Sequence, residues 1–348
     1  MSGGKRLFEG PEIHKLPNET TQVKEEEDMK PKVFVTRQIP EAGLKVLREK
    51  TELELWPHGD VAVPREVLEE RMPHIQGMLA LLSDRIDEYL IARGSHLKVI
   101  TNYAVGTDNI DVRFATSRGV TVTNTPDVLT DATADLTFAL MLGVARKMVE
   151  GNRVARSGRW IWAPDLLAGE DVFGATLGIV GFGRIGRAVA RRAQGFSMRL
   201  LVAARDSAAR DAAELGAQLV PLEELLAESD YVTLHCPLTT ETAGMMNEDA
   251  FRRMKKNAIF INTGRGKLVD QQALGRALSE GWIAGAGLDV FDPEPLPPDH
   301  PLFAAPNLLP LPHLGSATRR TRERMAVMAA EDLVAVLEGK IPCYPVRA

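Results

Sequence analysis

Arg265, Glu294 and His313 are a cation, a carboxylate and an imidazole, each placed just past a short apolar run late in the chain. Arg265 follows Ile259-Phe260-Ile261-Asn262-Thr263-Gly264, and Glu294 follows Gly287-Leu288-Asp289-Val290-Phe291. His313 follows Asn307-Leu308-Leu309-Pro310-Leu311-Pro312. If these runs are strands of an open parallel sheet, their carboxyl ends face one crevice, the usual ligand site of such sheets. The three side chains then converge by topology. Together they suit the reduction of a keto group. The cation polarises the carbonyl and holds a neighbouring carboxylate, while the imidazole donates a proton to the developing alkoxide. A carboxylate on the other ring nitrogen fixes the tautomer and favours the protonated ring. His235 also ends a strand-like run, before Cys236-Pro237, and is the main rival acid, although shaping the loop after that run suits it better. His14, His58, His74, His96 and His300 lack this context and read as structural or surface groups.

Such a reduction needs a hydride, and the chain carries a turn fit to hold its donor. Gly181-Phe182-Gly183-Arg184-Ile185-Gly186 follows the apolar run 177–180 and opens a helix-like stretch over 184–195. Strand, glycine turn and helix are the context a dinucleotide fingerprint requires. The first glycine allows the tight turn and the second lets backbone approach a pyrophosphate. The third lets helix pack on strand, with the phosphates at the positive helix end. An ordinary glycine-rich turn is the bland alternative. A Walker site is excluded, because Gly266-Lys267 is followed by Leu268. An NAD enzyme places a carboxylate at the end of the next strand, where this chain has Ala204 and then Arg205-Asp206. A guanidinium there can receive a 2′-phosphate, so NADPH is expected, and Asp206 keeps NADH possible.

These residues need a frame to position them. From Lys32 the chain alternates strand and helix signals, which indicates parallel βαβ units. A first series reads as strands at 33–35, 53–56, 77–82, 97–101 and 120–123, with helices at 41–50 and 64–72. One long helix is expected over 130–156. A second series then follows, with strands at 176–180, 200–203, 231–234, 258–261, 284–288 and 308–309. Asp270 is a plausible N-cap for a helix over 270–280. A closing helix over 316–338 carries Met325, Met328, Leu333 and Val336 at helical spacing, as core.

With 348 residues, two domains are the prior. An apolar fraction of 45% and a net charge of −5 fit a soluble globular protein and argue against nucleic acid or an anionic membrane as main partner. No apolar run reaches the ~20 residues that span a bilayer, and no secretory h-region is present. The two cysteines, Cys236 and Cys343, form neither a disulfide framework nor a metal knuckle, which fits a reducing compartment and a cytoplasmic protein. Residues 1–30, with Glu25-Glu26-Glu27-Asp28 and few apolar groups, are expected to be a disordered tail.

Taken in order from about residue 32 to the end, these motifs resemble the signatures of the D-2-hydroxyacid dehydrogenases. They are Gly181 to Gly186, Ile261 to Gly266, Gly287 to Phe291 with Glu294-Pro295, and His313-Leu314-Gly315-Ser316. The stretches 81–87, 125–131 and 296–300 are most similar to the glyoxylate/hydroxypyruvate reductase branch. The resemblance implies an α/β fold of two nested doubly wound parallel-sheet domains. A flavodoxin-like substrate domain (31–125 plus 314–348) would be split around a Rossmann dinucleotide domain (126–313), with the site in a cleft closed by hinge motion. It implies that Arg265 binds the keto acid, His313 is the proton donor and Glu294 orients it. Ser83 and the backbone N–H groups of Val105 and Gly106 would bind substrate. Pro237, Thr242, Thr263, Asp289 and Gly315 would join the fingerprint residues around the cofactor, with Asp289 and Gly315 at the nicotinamide amide. The segment Gly158-Arg159-Trp160-Ile161-Trp162 would lie at a homodimer interface, core packing being the alternative for the two tryptophans. The expected reaction is reduction of glyoxylate and hydroxypyruvate to glycolate and D-glycerate, with no metal. The rivals are D-lactate or 3-phosphoglycerate oxidation, the latter lacking its usual carboxy-terminal sensing domain, and a nucleotide-sensing corepressor of the same fold.

Overall fold

A computed structural model describes residues 30–347, so the expected tail lies outside the described residues apart from the exposed Lys30. The amino-terminal part runs β1 (Lys32–Val35), α1 (Glu41–Lys50), β2 (Glu52–Leu55), α2 (Arg65–Arg71), β3 (Gly77–Ala80), α3 (Glu88–Ala92), β4 (Val99–Asn102), α4 (Val112–Ser117) and β5 (Thr121–Thr123). Its strands form one sheet in the order β2-β1-β3-β4-β5, all parallel. This is the flavodoxin-like order.

Two helices, α5 (Thr130–Ala145) and α6 (Met148–Ser157), lead to the second sheet. The single helix expected over 130–156 is therefore broken. Lys147 takes φ 47°, in the left-handed region, and no glycine or proline at 146–147 signals the break. The second unit continues β6 (Thr176–Val180), α7 (Arg184–Gln194), β7 (Arg199–Ala203), α8 (Ala209–Glu214), β8 (Ala217–Leu219), α9 (Leu222–Glu228), β9 (Tyr231–Leu234), α10 (Glu248–Arg253), β10 (Ile259–Asn262), α11 (Gln271–Ser279), β11 (Gly285–Leu288) and β12 (Leu308–Pro310). Its parallel order, β12-β11-β10-β9-β6-β7-β8, is the Rossmann arrangement with one strand added, and it reverses between β6 and β9. The Asp270 carboxylate caps α11 by accepting from the N–H groups of Gln272 and Ala273.

Parallel strands covered on both faces need continuous apolar runs, and all residues of β9, β10 and β11 are buried. Phe260 and Leu288 pack on one face, and Ile261, Ile179 and Leu140 of α5 on the other. The closing helix α12 (Arg319–Leu337) returns to the first sheet and packs on α1, β3 and β4 through Met325, Ala329 and Leu333. Not one residue of α6 is buried, and Trp160, Ile161 and Trp162 stand 55%, 87% and 76% exposed. Core packing within the chain therefore does not account for these tryptophans.

Candidate active site

Both sheets direct their strand ends at a cleft of ≈ 690 Å³, lined by Ser83, Asp108, Arg265, Glu294 and His313 among others. Four expected residues from four separate loops, Ser83, Arg265, Glu294 and His313, therefore share one cleft. His313 sits past β12 with φ 55°, and its N–H donates to the Asp289 carbonyl, 2.9 Å. The Asp289 carboxylate accepts from the N–H of Leu314 at 2.6 Å and of Gly315 at 2.8 Å. Asp289 is buried, and desolvation raises its pKa against the lowering pull of those donors and of His313. Its side chain thus pins the turn that presents His313.

Glu294 uses both carboxylate oxygens. Oε1 accepts from the N–H of Phe291, 2.8 Å, and Oε2 lies 2.8 Å from His313 Nδ1. A ring held at Nδ1 turns Nε2 toward the cleft, where it has no protein partner among the described residues. The rival His235 is differently placed. Its Nε2 is 3.0 Å from the Thr233 hydroxyl, it does not line the cleft, and burial lowers its pKa to about 3. An imidazole that stays neutral at working pH is poorly suited to donate as a cation.

Arg265 follows β10, where the Asn262 side chain spans the turn by donating to Arg265 O and accepting from Gly264 N–H. Its Nη1 donates to Gly264 O at 2.9 Å and its Nε to Asp108 Oδ1 at 2.8 Å. Asp108 belongs to the other unit, so this pair spans the cleft. Nη2 packs against Gly106, where an added Cβ would stand 1.6 Å away. The N–H groups of Val105 and Gly106 have no protein acceptor among the described residues, while Asn124 and Asn102 donate to their carbonyls at 2.7 Å each. Two backbone donors and a guanidinium edge thus lie together, a geometry that suits a carboxylate. Sequence reasoning missed Asp108, which is 157 residues from its partner and carries no local signal.

The fingerprint turn fits a dinucleotide. Gly181 takes φ 90°, and a Cβ there would meet Cys236 N at 2.4 Å. At Gly186 a Cβ would meet the Gly181 carbonyl at 2.3 Å, so helix packs directly on turn. At Gly183 nothing lies within 4 Å, which leaves open space ahead of the α7 N-terminus for a phosphate. Arg184 and Ile185 begin α7, and Arg184 is ion-paired with Asp127, which takes φ 65° in the segment between the two sheets. β7 ends at Ala203, so Ala204, Arg205 and Asp206 follow as an exposed or half-exposed turn, and Arg205 makes no ion pair among the described residues. Pro237 and Thr242 close one loop, the Thr242 hydroxyl donating to Pro237 O at 2.7 Å. Thr263 is buried with its hydroxyl 3.1 Å from that of Thr137.

The description of one family model, D-isomer specific 2-hydroxyacid dehydrogenase, NAD binding domain, matches residues 138–315. A glyoxylate reductase of Korarchaeum cryptofilum is 54% identical over 319 residues, covering 90% of this chain and 95% of that protein. One of Pyrococcus horikoshii is 51% identical over 320 residues, covering 90% and 95%. Among solved structures, an NADPH-dependent glyoxylate/hydroxypyruvate reductase from Sinorhizobium meliloti, in complex with NADP and malonate, matches with TM-score 0.78 at 31% identity, covering 91% of this chain and 97% of that one. The chain belongs to the D-2-hydroxyacid dehydrogenases, oxidoreductases that work with a nicotinamide cofactor.

Proposed function

We propose that this enzyme reduces glyoxylate and hydroxypyruvate to glycolate and D-glycerate, with NADPH preferred to NADH. The observation that carries the reading is the Glu294–His313 pair facing the same cleft as the Arg265 guanidinium. Arg265 Nη2 and the N–H groups of Val105 and Gly106 bind the substrate carboxylate and polarise the carbonyl. A bound reduced nicotinamide supplies the hydride. His313 Nε2 delivers the proton to the carbonyl oxygen as it becomes an alkoxide, and Glu294 holds the ring through that transfer. Hydride at carbon and proton at oxygen complete the hydroxyl.

Arg205, exposed past Ala204 and without an ion-pair partner among the described residues, supports the preference for a 2′-phosphate. The same reading takes residues 126–313 as the dinucleotide domain and places the enzyme in the cytoplasm. The exposed α6 and Trp160-Ile161-Trp162 arm supports a homodimer, since large apolar side chains on one surface mark an interface. The test is a steady-state panel of glyoxylate, hydroxypyruvate, pyruvate and 3-phosphohydroxypyruvate against both cofactors. Hydroxypyruvate and glyoxylate should lead with NADPH, whereas faster turnover of pyruvate, or of any substrate with NADH, overturns the respective assignment.

A further inference from the structure

Behind the substrate-side wall of the cleft lies a buried ion pair that the reaction just described does not use. Arg37 follows β1, and its side chain is 10% exposed; Asp84 follows β3, and its side chain is 1% exposed. Arg37 Nη2 lies 3.4 Å from Asp84 Oδ1 and donates to the Ser83 hydroxyl oxygen at 3.2 Å. Asp84 Oδ2 accepts from the buried Thr36 hydroxyl and from the N–H of Leu81, 2.8 Å. The Asp84 N–H donates back to the Leu81 carbonyl, closing a tight turn over 81–84.

Asn109 clasps the same turn, donating to the carbonyls of Leu81 and Asp84 at 3.1 Å each. Asn102 in turn donates to Asn109 Oδ1 at 3.0 Å and to Gly106 O at 2.7 Å. One hydrogen-bonded network therefore joins Arg37 to both loops of the substrate-side wall. Asp84 is costly to bury as a charge, and desolvation raises its pKa against the pull of Thr36, Leu81 and Arg37. A pair this buried earns its place by what it fixes more than by net stability. What it fixes is Ser83, which lines the cleft.

We propose that Arg37 is a positioning residue of the keto-acid reaction, and that with Asp84 it sets Ser83 as the group that selects substrates bearing a hydroxyl on C3. The inference rests on the keto-acid reductase reading above. Arg37 only donates, so it occupies one lone pair of the Ser83 oxygen and leaves one lone pair and the hydroxyl hydrogen. The hydrogen reaches either Asp84 or the cleft. In either arrangement a C3 hydroxyl, which both donates and accepts, can complete the set, and a C3 methyl cannot. Arg37 also cancels a carboxylate that would otherwise stand, unpaired, behind a wall that must admit an anion.

The experiment compares kcat/KM for hydroxypyruvate and pyruvate in the full-length enzyme with saturating NADPH, for Ser83→Ala, Arg37→Met and Arg37→Met/Asp84→Asn. NADPH binding, followed by fluorescence, reports folding of each variant. The hydroxypyruvate-to-pyruvate ratio should fall about tenfold in Ser83→Ala, the order expected for losing one neutral hydrogen bond. Arg37→Met should raise KM for both anions and lower the ratio, and the double variant, with no orphaned charge, should recover KM but not the ratio. A purely structural pair would leave the ratio unmoved in Arg37→Met and in the double variant alike. If Arg37→Met fails to bind NADPH, Ser83→Ala and the double variant still decide the matter. An unchanged ratio in Ser83→Ala overturns the inference while leaving the reductase reading intact. A wild-type enzyme that turns over neither substrate overturns that reading, and this one with it.

Discussion

His313 Nδ1 and Glu294 Oε2 stand 2.8 Å apart, and the other oxygen of Glu294 accepts from the N–H of Phe291. Glutamate can accept at both oxygens, whereas glutamine offers one acceptor and one donor. Glu294→Gln can keep the anchor at Phe291 through its oxygen, but its NH2 then meets Nδ1 as a donor and opposes the doubly protonated ring that donates the proton. We expect kcat to fall by ~10–10² with KM for keto acid little changed, because the loss is felt in proton transfer. His313→Asn, which removes the donor itself, should cost ~10²–10⁴ in kcat. Single-turnover rates of NADPH oxidation measure both. Near-normal turnover in His313→Asn would return the acid to another group.

Arg265 binds by shape as well as charge. Its Nε is engaged by Asp108 and its Nη1 by Gly264 O, which leaves the Nη2 edge for substrate. A lysine keeps the charge and loses the fork, so Arg265→Lys should lower kcat/KM for keto acids by ~10²-fold or more while the NADPH dissociation constant stays within about twofold. Isothermal titration with oxamate, a carboxylate that mimics the keto acid, separates this loss of binding from a loss of chemistry. Retained oxamate affinity would remove Arg265 from the substrate site.

Much of this site is legible in the chain because its determinants are local. The glycine turn after β6 needs only six residues, and the Asp270 cap only four, to declare themselves. Arg265, Glu294 and His313 are legible because strand ends of a parallel sheet share a side, a rule of topology and not of contact. What stays hidden is decided by tertiary packing. β8 is a half-exposed edge strand of three residues, Ala217-Gln218-Leu219, too short for its alternation to stand out. The break at Lys147 has no glycine or proline to mark it. The Arg265–Asp108 and Arg37–Asp84 pairs join residues 157 and 47 apart, and no periodicity encodes such a meeting.

The proposed preference for NADPH rests on the residues that follow β7. With Ala204 in place of an acid, the strand end itself carries no carboxylate to repel a 2′-phosphate, and Arg205 stands exposed without an ion-pair partner among the described residues. A hydrogen bond to a charged group contributes about 1.5–3 kcal/mol. Arg205→Ala should therefore lower the NADPH-to-NADH ratio of kcat/KM by about ten- to a hundredfold, chiefly through KM for NADPH. A ratio that does not move would shift discrimination to another side chain of the turn.

His235 gives a stability prediction independent of catalysis. Burial lowers its pKa to about 3 in the folded chain, against an ordinary value of 6.5. Between these two values the unfolded chain binds a proton that the folded chain refuses. Stability linked to this ring is thus complete above ~6.5 and is lost progressively as pH falls below it. The slope from one such group is at most about 1.4 kcal/mol per pH unit. His235→Gln removes the titration while keeping a side-chain amide within reach of the Thr233 hydroxyl, the present partner at 3.0 Å. Urea unfolding at pH 7.5 and pH 5.5 should show the wild type losing more stability than His235→Gln over that interval. Equal losses in the two proteins would mean that His235 takes up its proton without unfolding the chain, and would reopen its candidacy as an acid.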